Sequence, residues 1–360
     1  MADMNRREFA RAAGATLAAG LALRNGLAFA QPAADSRVAA LDFVDPELRP
    51  AARQVMAGSG QMGTFTDATL RAMRGATPAS PPPLPDVPAR EVRIPARGSL
   101  PEVVVQLVNS HPGQGKPAIL HTHGGGYILG SAKSEVRFLQ ETALVLDCTI
   151  VSVEYRLAPE TRYTGSIEDN YAGLVWLHRN AGELGVDAKR IALMGESAGG
   201  GHAALLAIAA RDRGEVPLVL QALIYPMLDD RTGSSRAVPP YIGAIGWDPP
   251  ANRYGWHSFL GVEPGGSGVP AGGVPARLDD LRGLAPAFVG VGGVDLFVHE
   301  DIEYARRLTE SGVSTELLLV PSAFHGFDRV APATRLARGF TAAKHEALRR
   351  AFGMEPITRA

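Results

Sequence analysis

A short apolar segment of the chain runs directly into a serine between glycines and then into an alanine-rich segment. The stretch reads IALMGESAGGGHAALLAIA over residues 191–209. The apolar residues before the first glycine predict a buried strand, and the longer run over 199–210 predicts a buried helix. The backbone must therefore turn sharply at Ser197, where Gly195 and Gly199 leave room for it. This stretch predicts a fold that presents Ser197 at the end of a strand, either as a catalytic residue or as an incidental serine of a tight turn.

Strand and helix patterns alternate on both sides of this turn. After a proline-rich connector, the runs REVRIPA and PEVVVQLVN predict a hairpin of strands. Further predicted strands, KPAILHTH, TIVSVEYR, LVLQALIYP, PAFVGVGGVD and STELLLV, are separated mostly by helical patterns. Such alternation predicts an α/β fold with a mostly parallel central sheet and helices on both of its faces.

The composition changes along the chain and predicts three regions. Residues 1–30 form an export signal, 31–85 carry N-terminal helices and the proline-rich connector, and 86–360 form the α/β domain. Residues 229–277 break the alternation and are rich in glycine, proline and aromatic residues. We expect an insertion over the carboxyl edge of the sheet, where open α/β sheets bind ligands. Its Trp247 and Trp256 either line a pocket there or fill the interior of the insertion.

The N-terminal residues have the pattern of an export signal. Arg6 and Arg7 precede an apolar stretch over 12–23, and Ala-Phe-Ala at 28–30 has the form of a signal-peptidase site. The paired arginines predict a twin-arginine signal, and hence a periplasmic or secreted protein without a permanent membrane anchor. The alternative is an amphipathic helix in a cytoplasmic protein.

Charge and cysteine content exclude several classes of partner and cofactor. The 360-residue chain has a formal net charge of −1 and no basic run after its N-terminus, which argues against a nucleic-acid partner. Its single cysteine, Cys148, allows neither an internal disulfide nor a cysteine-based metal cluster. The histidines lack the H-E-x-x-H spacing of zinc hydrolases. We therefore expect neither a cysteine-based metal cluster nor the metal site of a zinc hydrolase.

The remaining parts of a serine-based active site occur at the ends of other predicted strands. A nucleophilic serine needs a base, an acid that orients the base, and backbone amides that bind the oxyanion. His123-Gly124-Gly125-Gly126 follows one strand, Asp295 ends another, and His325 follows the last. Singly, these residues could form a turn, a helix cap and a second turn. Together, in the order Ser, Asp, His, they predict the arrangement of an α/β-hydrolase.

Six segments of the chain extend this pattern. HTHGGGYILGS, VSVEYRLAPE, GESAGGGHAALL, LIYPMLD, LAPAFVGVGGVDLF and FHGF occur in this order between residues 117 and 327. In these segments the chain resembles the hormone-sensitive lipase-like family of α/β-hydrolase serine carboxylesterases. The resemblance implies a cap built from the N-terminal helices and the insertion. It also implies a nucleophile, a base, an acid and three oxyanion donors: Ser197, His325, Asp295, and the amides of Gly125, Gly126 and Ala198.

The resemblance implies hydrolysis of carboxylic esters through an acyl-enzyme, without a cofactor. The expected partner is a small-molecule ester of short to medium chain length. The same residues would serve an acyltransferase or a lactonase. A hydrolase fold that only binds a ligand usually lacks a member of the triad, whereas all three are present here. By analogy with the family alone, two copies of the chain could pair through their edge strands to form a homodimer.

Three positions depart from the family pattern, one of them after YRLAPE, where Tyr163 is followed by Thr164-Gly165-Ser166 and the family usually has Pro-Ala after the aromatic residue. Glu196 precedes Ser197, where aspartate is common in the family. After Asp295 the chain continues with leucine and phenylalanine, where the family usually shows proline and then leucine. Glu300, a few residues further on, is therefore the alternative candidate for the acid.

Overall fold

The computed structural model describes residues 39–59, 65–75 and 80–355. The predicted export signal lies outside these ranges. Within them, no helix is long and apolar enough to cross a membrane.

One sheet of eight strands forms the centre of the described structure. Its order is β1-β2-β4-β3-β5-β6-β7-β8. The pairs β1-β2 and β2-β4 are antiparallel, and all other neighbours are parallel. The predicted α/β fold with a mostly parallel sheet is therefore confirmed. The strands are β1 (Ala89–Ile94), β2 (Val103–Val108), β3 (Lys116–Thr122), β4 (Thr149–Glu154), β5 (Val186–Glu196), β6 (Leu220–Ile224), β7 (Ala287–Gly292) and β8 (Thr315–Val320).

Helices cover both faces of the sheet. In the described residues they are α1 (Arg49–Ser59), α2 (Asp67–Gly75), α3 (Val136–Leu146), α4 (Tyr163–Arg179), α5 (Ala181–Leu184), α6 (Ala198–Arg213), α7 (Pro249–Leu260), α8 (Val298–Glu310), α9 (Phe327–Val330) and α10 (Arg335–Ala351). Helices α4, α6 and α8 belong to the apolar core of one face, and α3 and α10 to that of the other.

The central strands are apolar without a break because both of their faces are buried. Successive side chains of a strand point to opposite faces. Ile119 accordingly belongs to one core and Leu120 to the other, as do Ile150 and Val151 on the neighbouring strand. This arrangement holds the strand ends, where the predicted site residues lie, on a rigid base.

The predicted insertion contains a helix for which the sequence pattern gives no prediction. Helix α7 begins after Asp248, whose side chain accepts a hydrogen bond from the Ala251 amide at 2.9 Å, and prolines occupy its first positions. An aspartate N-cap followed by proline is a regular start of a helix. Trp256 and Phe259 of this helix pack against Tyr127 in a third apolar cluster, which we call the cap cluster.

The N-terminal region divides between two places. Phe65 and α2 join the cap cluster, and the Tyr254 hydroxyl of α7 donates to the Asp67 carboxylate at 2.8 Å. The chain before α1 lies elsewhere, because the Asp45 amide donates to the Ser322 carbonyl, in the loop after β8, at 3.0 Å. Both parts contact the insertion, because the ring of Phe43 stacks on that of Tyr241 at 4.1 Å between centroids.

Candidate active site

Ser197 occupies a strained turn between β5 and α6. Its φ of 58° and ψ of −123° lie outside the regions that a residue with a side chain ordinarily adopts. A Cβ atom at Gly195 would lie 2.3 Å from the carbonyl oxygen of Gly199, and one at Gly199 would lie 2.0 Å from that of Thr122. Both glycines of the pattern are therefore required by the close approach of the backbone.

Hydrogen bonds to the end of β6 hold this turn in place. The Ser197 amide donates to the Ile224 carbonyl at 2.9 Å, and the Ser197 carbonyl accepts from the Met227 amide at 3.0 Å. Strained backbone persists only where its surroundings fix it in this way. The turn therefore presents the Ser197 hydroxyl in one defined position.

Ser197, His325 and Asp295 form one hydrogen-bonded series. The Nε2 atom of His325 lies 3.0 Å from Ser197 Oγ, and its Nδ1 atom lies 2.9 Å from Asp295 Oδ2. Asp295 is fully buried, and its other oxygen accepts from the Phe297 amide at 3.0 Å. A ring that donates from Nδ1 to this carboxylate presents Nε2 as the acceptor for the serine proton.

The alternative acid, Glu300, lies in a different environment. Its carboxylate accepts the amides of Leu228 and Asp229 at 2.7 and 3.1 Å. Burial, together with the charge of Asp229, raises the pKa of Glu300 well above its usual range. The structure thus brings Asp295, and not Glu300, to His325.

The glycine loop after β3 lies against the turn at Ser197. A Cβ atom at Gly124 would lie 3.0 Å from the Glu196 carbonyl oxygen and 3.5 Å from Ser197 Cβ. Gly125 and Gly126 have φ values of 123° and 60°, which favour glycine. Within the described residues, no hydrogen bond uses the amide of Gly125, Gly126 or Ala198 as its donor. These amides are available for an oxyanion.

His123 fixes the glycine loop and carries no charge near neutral pH. Burial lowers its pKa to about 4. Its Nδ1 atom lies 2.8 Å from the Gly124 carbonyl oxygen, and its ring stacks on that of Tyr155, whose hydroxyl donates to the His123 carbonyl at 2.7 Å. A neutral ring with its proton on Nδ1 donates to Gly124 and holds the loop in shape.

A second series of serine, histidine and carboxylate lies beneath the site. His121 Nδ1 lies 2.8 Å from Ser152 Oγ, and Nε2 lies 2.8 Å from Glu196 Oε2. Burial raises the pKa of Glu196, but the charge and hydrogen bond of His121, with Lys344 and Arg329, outweigh this and leave it at about 2. Ser152 and His121 are fully buried. This series therefore ties β3, β4 and β5 together and offers no hydroxyl to a substrate.

The sheet, the strained serine turn and the glycine loop together define an α/β-hydrolase. The chain belongs to the family with the alpha/beta hydrolase fold whose model matches residues 119–329. The expected resemblance to the hormone-sensitive lipase-like esterases is thereby confirmed at the level of the family.

Similar proteins and solved structures agree with this family assignment. Carboxylesterase NlhH of Mycobacterium tuberculosis is 36% identical over 236 residues, which cover 62% of this chain and 71% of that protein. The ethyl acetate hydrolase of Pseudomonas putida is 31% identical over 245 residues, covering 64% and 72%. The solved structure of a bacterial heroin esterase has a TM-score of 0.72 at 34% identity, covering 87% of this chain and 99% of that chain. The predicted class of enzyme, an ester hydrolase, is confirmed.

Proposed function

We propose that this protein hydrolyses carboxylic esters with Ser197 as nucleophile, His325 as general base and Asp295 as the acid that orients the base. One observation carries the proposal: the hydrogen-bonded series in which His325 lies 3.0 Å from Ser197 Oγ and 2.9 Å from Asp295. Nucleophile, base and orienting acid within hydrogen-bond reach are the geometric requirement of covalent catalysis by serine.

The reaction proceeds in two halves. His325 takes the Ser197 proton as Oγ attacks the ester carbonyl, and the amides of Gly125, Gly126 and Ala198 stabilise the oxyanion that forms. His325 then gives the proton to the departing alcohol. In the second half, water loses a proton to His325 and attacks the acyl-enzyme, which releases the acid and restores Ser197.

The preferred substrates are soluble esters of short to medium chain length. Support comes from the ring of Trp247, which packs on Gly126 beside the proposed oxyanion site. The names of the relatives point in the same direction, because one of them is an ethyl acetate hydrolase. Strong preference for long-chain triglyceride emulsions would contradict this part of the proposal.

The test compares Ser197→Ala with Ser152→Ala in turnover of p-nitrophenyl butyrate. Ser197→Ala removes the nucleophile, and we expect a loss of roughly 10⁶-fold in kcat. Ser152→Ala removes a hydroxyl that is also bonded to a histidine but is buried away from substrate. Assayed below its melting temperature, this control should retain most of the wild-type turnover. Equal activity of the two variants would refute the proposal.

Product analysis separates hydrolysis from acyl transfer. With a soluble ester and added short alcohol, a hydrolase releases mainly the free acid, whereas an acyltransferase releases mainly the new ester. We expect the free acid as the main product from linear esters. If the main product is the ester of the added alcohol, the protein is an acyltransferase that forms the same acyl-enzyme.

A further inference from the structure

A short segment of the insertion, residues 243–247, touches three of the four segments that carry the proposed active site: the acid loop, the histidine loop and the glycine loop. We call it the strap. It begins at the acid loop, where the Gly243 amide donates to the Val294 carbonyl, next to Asp295, at 3.0 Å. A Cβ atom at Gly243, whose φ is 70°, would lie 2.8 Å from Leu296 Cβ. The start of the strap is therefore packed directly against the residues that flank Asp295.

The end of the strap lies between the histidine and the glycine loop. A Cβ atom at Gly246 would lie 2.9 Å from the His325 carbonyl oxygen and 3.2 Å from His325 Cβ. At the next residue, Cη2 and Cζ2 of Trp247 lie 2.3 and 2.4 Å from the position of a Cβ atom at Gly126. Two consecutive residues thus contact two different loops of the proposed site.

The indole of Trp247 is held rigidly in this position. Its Nε1 donates to Asn252 Oδ1 at 3.1 Å, and Asn252 Nδ2 donates to the Thr232 carbonyl at 2.8 Å. The ring of Phe65 packs beside it at 5.8 Å between centroids. A side chain with a satisfied polar atom and fixed neighbours cannot move aside cheaply for a ligand.

The second tryptophan of the insertion has a different position. Trp256 is fully buried and packs against Tyr127 and Phe259 in the cap cluster. Of the two alternatives left open by the sequence, Trp256 fills the interior of the insertion, and Trp247 borders the loop that carries the oxyanion amides.

We propose that Trp247 is a specificity-determining residue whose indole limits the size of the ester that the site accepts. The inference rests on the proposed function, because Gly126 borders the ester carbonyl only if its amide binds the oxyanion. When the Gly126 amide binds the carbonyl oxygen of the ester, the acyl chain or the alcohol chain lies beside the indole that packs on Gly126. Replacing the indole by a methyl group opens space for a longer chain.

The experiment measures kcat/KM of Trp247→Ala, Trp247→Phe and wild type on two series of esters. One series varies the acyl chain from p-nitrophenyl acetate through butyrate and octanoate to laurate. The other varies the alcohol of acetate esters over the same range of lengths. In at least one series we expect the ratio of long-chain to short-chain kcat/KM to rise about tenfold or more in Trp247→Ala. The series that responds shows which side of the ester faces the indole.

The matched control is Trp256→Phe, which alters a tryptophan of the same insertion whose ring packs on Tyr127 and Phe259 in the cap cluster, and which should leave both ratios unchanged. The proposal is overturned if kcat/KM of Trp247→Ala falls by the same factor on all esters, or if Trp256→Phe shifts the ratios equally. If Trp247→Ala does not fold, the same ratio of long-chain to short-chain kcat/KM, measured in Trp247→Phe, tests the proposal. A failure of the proposed function is distinguishable, because it would appear as full turnover by Ser197→Ala.

Discussion

The Cβ atom that Gly199 lacks would lie 2.0 Å from the carbonyl oxygen of Thr122, the last residue of β3. The first turn of α6 therefore rests directly on the end of the neighbouring strand, and the Thr122 hydroxyl donates to the Gly199 carbonyl at 2.7 Å. This contact brings the loop that begins at His123 beside Ser197. The glycine loop can lie this close to the nucleophile only because Gly199 has no side chain.

Gly199→Ala should therefore destabilise the protein and reduce its activity. The added methyl group meets backbone atoms of β3, which cannot move without displacing the sheet. We expect a loss of about 3 kcal/mol in the free energy of unfolding, measured by urea denaturation.

The matched control is Gly339→Ala on the exposed side of α10, where a Cβ atom meets nothing within 4 Å. Alanine is a better helix former than glycine, so this variant should gain about 1 kcal/mol. Equal effects of the two substitutions on stability would show that the contact with Thr122 is unimportant.

The acid of the triad can be tested by two isosteric substitutions. Asp295→Asn removes the charge that orients His325, and we expect kcat to fall roughly 10⁴-fold with the fold intact. Glu300→Gln keeps an oxygen that can accept the amides of Leu228 and Asp229, so its kcat should stay near that of wild type. Steady-state kinetics on p-nitrophenyl butyrate measures both. A large loss in Glu300→Gln with little loss in Asp295→Asn would reverse the assignment.

Much of this site follows from local sequence, and the rest depends on contacts between distant segments. The turn at Ser197 and the alternation of strands are local patterns, so both are predictable. The series formed by Ser152, His121 and Glu196 is not, because its members lie on three strands. The available signal was a polar residue next to apolar ones within each strand: His121 in β3 and Ser152 in β4, which are partners in the register of the two strands.

The insertion was the least predictable part for a physical reason. Its backbone follows no strand or helix period over most of its length, and its conformation is set by glycines that pack against other loops. Gly246 against His325 is one such contact, and it becomes visible only when both segments are placed in space. Helix α7, which was not predicted, has a local signal only at its start, where Asp248 caps it and prolines follow.

His202 should make the protein sensitive to acid. Its ring is buried among Tyr127, Tyr155 and Phe259, and neither ring nitrogen has a hydrogen-bond partner among the described residues. Burial, with a smaller effect of His123, lowers the pKa of His202 from 6.5 to about 3. Below pH 6.5 the unfolded chain binds a proton that the folded chain does not, so stability falls as the pH is lowered through this window.

Replacing this histidine should remove its share of the acid sensitivity. Between pH 8 and pH 5 the free energy of unfolding falls in both proteins. We expect this fall to be about 2 kcal/mol smaller in His202→Leu than in wild type. Chemical denaturation at the two pH values measures the difference. The same substitution at His257, whose side chain is 55% exposed, is the control and should leave most of the acid sensitivity in place. An unchanged pH dependence in His202→Leu would contradict the buried, neutral state of this ring.

We propose export by a twin-arginine route, from residues that lie outside the described ranges. Replacing Arg6 and Arg7 by lysines should trap the unprocessed precursor in the cytoplasm, because the receptor reads the arginine pair. Cell fractionation and N-terminal sequencing of the product measure this. If the double variant is still exported and cleaved after Ala30, a general secretory route replaces the twin-arginine one.

The central claim is that the Ser197 hydroxyl, activated by His325, is the group that attacks the substrate. The most direct measurement is mass spectrometry of the protein after reaction with a fluorophosphonate, which traps an activated serine. We expect one phosphonyl group, on the peptide that contains Ser197, and strongly slowed labelling in His325→Ala. Labelling of a different serine, or an unlabelled Ser197 in the folded protein, would contradict the account.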